Sequence, residues 1–232
     1  MLYLHYKYNM LNIFLNRQTQ RAFTADPVLP QDVDTILSAG CSAPSKQRAY
    51  PWRVIALTQS ESAIELKNQL FLNSFINTPI HKHLPTAKAP LVLAWIGVPI
   101  LDNYDLGLES NNASVREAHI NTNTSLLDIK TRYTIRSRAE KDIMVAASFS
   151  MMQAESLGYK TAFTACFIES KAKQILNIAE HEWPVIFLSI GLPDNTVGRE
   201  SVIKENRVIG FSDPRPFAEP AKLSAVELAK II

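Results

Sequence analysis

The chain has 232 residues, 47% of them hydrophobic and 20% charged, which suits one α+β domain with a buried core. With 24 basic and 22 acidic residues the formal net charge is +2, so no broad field points at nucleic acid or a membrane surface, and any phosphate site has to be local. No apolar run reaches the roughly 20 residues that a membrane-spanning helix needs.

In chain order, residues 1–9 are apolar and aromatic but contain no signal-peptide core or cleavage site. They read as an N-terminal extension ahead of Met10, which gives a cleaner helix opening, with 10–232 as a single cytoplasmic domain. Leu11, Phe14 and Leu15 share one face of a short helix over 10–18. Pro30 opens a second helix, with Val33, Ile36 and Leu37 inward and Gly40 as its stop. A Pro/Ser loop over 42–52 leads into a β-branched strand at 53–57. Thr58 and Glu61 have capping-box spacing and start a helix that runs to Leu70. Residues 90–96 form a near-continuous apolar run, as expected of a strand buried on both faces.

The stretch 100–136 is polar, rich in Asn and without clear periodicity, so it reads as a long functional loop with a helical piece, or as a lid. The longest helix spans 139–157, with Ile143, Ala146, Ala147, Ser150, Met151, Ala154 and Leu157 on its inner face and Gly158 as its stop. These small residues permit close approach by another helix. A strand at 161–167, a short helix at 169–176, a strand at 185–190 and a polar tail complete the chain. Cys41 and Cys166 form no CxxC pair and lie among small and apolar residues, so both are expected to pack. His81, His83 and His119 bring no third ligand together, and no metal site is expected.

The seven glycines form neither GxGxxG nor a P-loop, so a nucleotide-type ligand would need side chains to hold its phosphate. Arg17 and Arg21, four residues apart with Thr19 between them, would converge on one phosphate if this segment were helical. The competing reading is a solvated polar helix end.

The order of these segments resembles the nitroreductase family of FMN enzymes. That family opens on Arg-x-Ser/Thr-x-Arg/Lys-x-Phe/Tyr, matched here by Arg17, Thr19, Arg21 and Phe23. Its Pro-Ser-x-x-Asn-x-Gln-Pro-Trp is matched by Pro44, Ser45, Pro51 and Trp52, with Arg48 and Tyr50 in place of Asn and Gln. Leu157 and Gly158 begin a segment similar to the strand beside the flavin, and Ile190, Gly191 and Pro193 resemble the Ile/Val-Gly-Tyr/His-Pro element. Lys160 and Ala165 stand where many relatives have glycine, Asp or Glu.

The resemblance implies a nitroreductase-like α+β fold, with a central, mostly antiparallel sheet flanked by helices and a long central helix at a homodimer interface. It implies FMN held at its phosphate by Arg17, Gln18, Thr19 and Arg21, with Lys204 or Arg207 from the tail. Pro44, Ser45, Lys46 and Arg48 would line the flavin from the partner subunit, while Phe163, Thr164 and Ala165 run along its ring. Trp52 is expected to anchor the core. Arg48 would bring positive charge that favours an anionic reduced flavin or an anionic substrate, unless it points to solvent.

The implied activity is ping-pong hydride transfer from NADH or NADPH through flavin N5 to a small organic acceptor such as a nitroaromatic or a quinone, with no catalytic side chain. Two alternatives stay open: an FMN-dependent oxidase, dehydrogenase or reductive dehalogenase with a specialised substrate, and a non-catalytic flavin-binding protein.

Overall fold

The computed structural model describes residues 13–14, 17–20, 22–70, 88–99 and 129–194. All belong to one compact unit, Met1–Asn195; a second unit, Thr196–Ile232, lies outside the described residues. Among the described residues, helices and strands follow in the order α1 (Pro30–Cys41), β1 (Trp52–Leu57), α2 (Glu61–Gln69), β2 (Leu91–Gly97), α3 (Ile129–Ser156), β3 (Lys160–Thr164), α4 (Glu169–Ile175) and β4 (Trp183–Gly191). No helix among the described residues is long and apolar enough to cross a membrane.

The strands form one sheet in the order β1-β2-β4-β3, antiparallel at every pairing. The expected α+β architecture is therefore the one observed. Strand β2 is central and buried at all seven positions, and its side chains divide by parity between two cores. Leu91, Leu93 and Trp95 join Ile36 of α1 and Ile143, Ala146 and Ala147 of α3 on one face. Val92, Ala94 and Ile96 join Ala63 of α2 and Ala172 of α4 on the other. Helices thus cover both faces of the sheet, which explains why a continuous apolar run was needed at 91–97.

Several local expectations are corrected. Gly40 does not stop α1, which continues to Cys41. It is buried where α1 crosses α3, and a Cβ there would meet Trp95 Cη2 at 2.6 Å as well as the Ser150 hydroxyl. The cap of α2 is Ser60, whose Oγ accepts from the Ala63 amide, in place of Thr58. Helix α3 begins ten residues earlier than expected, at Ile129, so the last part of the 100–136 stretch is helical and 100–128 lies outside the described residues.

The inner face of α3 holds as expected from Ile143 to Ala154, but Leu157 is exposed. Gly158, with φ +93°, ends the helix while the Tyr159 amide reaches back to the Ala154 carbonyl. Strand β3 stops at Thr164, short of Phe167, because the Phe167 amide turns back to the Ala165 carbonyl. Cys41 and Cys166 are both free and exposed, against the packing expected for them, because Cys41 sits on the last turn of α1 and Cys166 lies past the end of β3.

Candidate functional site

The segment expected to hold phosphate is not helical where it is described. Thr19 forms an isolated parallel bridge with Thr161, and the Gln20 amide donates to the Thr161 carbonyl at 2.9 Å. Four residues beyond Thr19, Phe23 bridges Pro193, while the Asp194 and Thr24 amides donate to the Ala22 and Leu192 carbonyls. The segment is laid along the outer edge of β3 and the end of β4. Backbone pairing with the sheet replaces the intrahelical bonds that a helix would have used.

The correction changes the geometry without removing the chemistry. The Arg17 amide still donates to the Ile13 carbonyl at 2.9 Å, one helical turn back, and the chain then straightens to pair with β3 at Thr19. Arg17 is half-buried, and its guanidinium has no hydrogen-bond or ion-pair partner among the described residues. Thr19 is exposed, with no partner for its hydroxyl among the described residues, and Gln18 is exposed. Arg21, Lys204 and Arg207 lie outside the described residues, as do His81, His83 and His119.

A buried carboxylate that sequence reasoning did not single out underlies this edge and pairs with Lys160. Glu155, on the last turn of α3, has a side chain only 2% exposed. It accepts from the Thr161 hydroxyl at 2.7 Å and from the Lys160 ammonium at 3.1 Å. The sequence signal was a carboxylate next to the small-residue stripe, five positions ahead of a lysine, which local spacing alone does not distinguish from a surface pair. Further support comes from Tyr159, whose hydroxyl donates to Asp32 on the first turn of α1. Burial, and then the bond to Asp32, raise its pKa above the ordinary phenol value.

Phe163 is half-buried, Thr164 buried and Ala165 exposed, so this stretch runs from core to surface at the C-terminal end of β3. The turn beyond it is anchored by Glu169, the first residue of α4, which pairs with Arg136 of α3 at 2.7 Å. That hydrogen bond raises the Arg136 pKa against the opposing effect of burial, and the guanidinium lies 5.4 Å from the Trp183 ring centroid.

The Pro-Ser loop occupies a different place. Pro44 and Lys46 are exposed, and the Lys46 amide donates to Asp142 of α3 at 3.0 Å. Ser45 is half-buried, and its hydroxyl accepts from the Tyr50 amide, closing the loop on itself. Arg48 and Tyr50 both have left-handed backbone, with φ 55° and 47°. Arg48 is exposed, while Tyr50 packs edge-on against Trp52, and Trp52 against Trp95. Trp52 is 5% exposed and anchors the core as expected.

The loop leads into β1 at one edge of the sheet, whereas the Thr19 segment lies on β3 at the other. Their anchor points on α3, Asp142 and Glu155, are about 20 Å apart at 1.5 Å per residue. One chain therefore does not bring the two groups together. Along the outer side of α3, a groove of about 630 Å³ is lined by Phe14, Ser38, Ser42, Phe149, Met152 and neighbouring residues.

A family model described as the Nitroreductase family matches residues 15–192. Among solved structures, a nitroreductase family protein from Clostridium novyi NT superposes with TM-score 0.58 at 16% identity, covering 81% of this chain and 86% of its own. An oxidoreductase containing FMN gives 0.59 at 20% identity, covering 84% and 83%. The enone reductase CLA-ER, which catalyses a key step of a gut-bacterial fatty acid saturation metabolism, gives 0.59 at 15% identity, covering 84% and 95%. The curated proteins contain no match. These structural likenesses establish the fold.

Proposed function

The chain belongs to the nitroreductase family, and from that premise we propose that it is an FMN-dependent oxidoreductase drawing on NADH or NADPH to reduce a small organic acceptor, such as a nitroaromatic or a quinone. The observation that carries the cofactor assignment is Arg17. Arg17 is half-buried with no acceptor for its guanidinium among the described residues, a donor fork that suits an anion, and Thr19 two residues on has a hydroxyl with no partner among them either. This donor set fits a phosphate. Arg17, Gln18, Thr19 and Arg21 would hold it, while Phe163, Thr164 and Ala165 would border the ring.

FMN, when bound, supplies reversible hydride acceptance, the chemistry that no side chain of the chain can provide. The chain's own contribution is binding, orientation and charge. In the proposed assembly, a second copy of the chain supplies Pro44, Ser45, Lys46 and Arg48 to complete the pocket. Support comes from the outer face of α3, where Met144, Val145 and Phe149 are 38%, 40% and 44% exposed beside Phe14 at 55%. Phe14 and Phe149 line one groove, and exposed apolar surface of this kind suits an interaction surface. The cytoplasm is the compartment that fits two free thiols and nicotinamide donors.

The test is the absorbance spectrum of purified protein followed by anaerobic addition of each nicotinamide. The expected result is a yellow protein with bound FMN whose flavin absorbance bleaches with NADH or NADPH and returns when a quinone is added. Bound FMN that neither nicotinamide reduces would sink the reductase reading, and a colourless protein that takes up no FMN would sink the cofactor assignment.

A further inference from the structure

Lys160 and Glu155 sit directly beneath the proposed phosphate clamp, yet nothing in the family motif uses them. Resting on the FMN reading above, we propose that Lys160 is a further cation of the phosphate clamp and that Glu155 sets how much of its charge the phosphate meets. Three observations carry this.

The first is register. Thr161 is the residue to which the clamp segment is pinned, through the Thr19 bridge and the Gln20 amide. Lys160 precedes it by one residue, a rise of about 3.3 Å. The second is asymmetry within the ion pair. The Glu155 carboxylate is 2% exposed and fixed by the Thr161 hydroxyl as well as by Lys160, whereas the Lys160 side chain is 39% exposed. Among the described residues its ammonium donates only to Glu155. An ammonium has three donors on a flexible stem, so Lys160 can turn toward an anion while keeping one bond to Glu155. Glu155 cannot follow it.

The third is the chemistry of the neighbours. Among the described residues, the Thr19 hydroxyl at this edge and the Arg17 guanidinium two residues before it have no partner, so an anion that satisfies them arrives where Lys160 has capacity to spare. Glu155 does two opposing things in this arrangement. It holds Lys160 at the clamp in the absence of ligand, and its negative charge offsets part of the attraction when the phosphate arrives.

The experiment compares FMN with riboflavin, which lacks the phosphate, by fluorescence titration of apoprotein over a range of salt concentrations. Lys160→Met is expected to weaken FMN about tenfold and flatten the salt dependence of its affinity, with riboflavin affinity unchanged. Glu155→Gln keeps an acceptor for Thr161 but frees the Lys160 charge, so it is expected to tighten FMN several-fold and steepen the salt dependence, again leaving riboflavin unchanged. The double variant buries no unpaired charge, which guards against misfolding, and should match Lys160→Met. Lys160→Arg should retain most of the affinity for FMN.

Equal loss of FMN and riboflavin in Lys160→Met, or no loss of either, overturns the proposal while leaving the FMN reading intact. Failure of the unaltered protein to bind FMN overturns both.

Discussion

Arg48 and Tyr50 carry φ of 55° and 47°, where the Cβ of an L-residue crowds the following carbonyl oxygen. Loop closure enforces this geometry: the Ser45 carbonyl and hydroxyl take the Arg48 and Tyr50 amides, and the Trp52 amide turns back to the Tyr50 carbonyl. Arg48 is exposed, so replacing it removes little packing. Arg48→Asn, which tolerates the left-handed region, is predicted to stabilise the apoprotein by roughly 0.5–1 kcal/mol, read from urea unfolding midpoints at unchanged slope. A lower midpoint would show that the arginine side chain contributes more than its backbone costs. Lys67 gives a second prediction at this scale. It is 2% exposed, bonded to the Ala89 carbonyl at 2.9 Å, and burial lowers its pKa from 10.5 to about 8. Below pH 8 both folded and unfolded chains carry the proton, and the full cost of burying an ammonium is present. Between pH 8 and 10.5 the unfolded chain binds more protons, so this group's effect on stability becomes more favourable as pH rises, by on the order of 3 kcal/mol. The stability difference between Lys67→Met and the unaltered protein should therefore shrink across that window. A difference independent of pH would contradict the assignment.

Helix α1 is legible from Pro30 and its apolar spacing, but the role of Gly40 is not. Local rules treat a glycine at that point as a stop, whereas it is the close approach of Trp95 and Ser150 that requires it. Gly40→Ala raises intrinsic helix propensity by about 1 kcal/mol. It is nevertheless predicted to destabilise the protein by about 1–3 kcal/mol through overpacking, measured by thermal or urea unfolding. A stabilised variant would mean that α1 and α3 can separate at no cost. The same division between local and long-range information runs through the other elements. Strand β2 was readable because a strand covered on both faces has to be apolar throughout. The state of the Arg17 segment was not, because basic residues at i and i+4 suit a helix or an alternating extended chain equally, and only the Thr161 pairing decides between them. The exposure of Cys41 and Cys166 depends on where α1 and β3 end, which composition does not fix. The proposed site residues, Lys160 as a departure among them, were named by the ordered resemblance and by no local pattern, and Glu155 beneath Thr161 had no motif to announce it.

At the scale of the whole molecule, the two halves of the proposed cofactor pocket lie at opposite edges of the sheet, about 20 Å apart along α3. Such a spacing suits the proposed dimer, because a two-fold contact across the outer face of α3 would be self-complementary and would generate two identical sites at once. The apolar groove beside Phe14, Phe149 and Met152 would supply the surface for that contact. Assembly and flavin binding should then be linked: anything that separates the chains removes the loop carrying Ser45 and Lys46 from the clamp carrying Arg17 and Thr19. Phe149→Glu places a charge in the centre of the groove without touching either group of site residues. It is predicted to shift the protein from dimer to monomer in light scattering coupled to size exclusion, and to weaken FMN by at least tenfold, while the far-ultraviolet circular dichroism of the fold persists. FMN should in turn restore some dimer at high concentration, since a ligand that binds only the assembled state draws the equilibrium toward it. A monomeric variant that retains full FMN affinity would break the link and place the whole pocket within one chain.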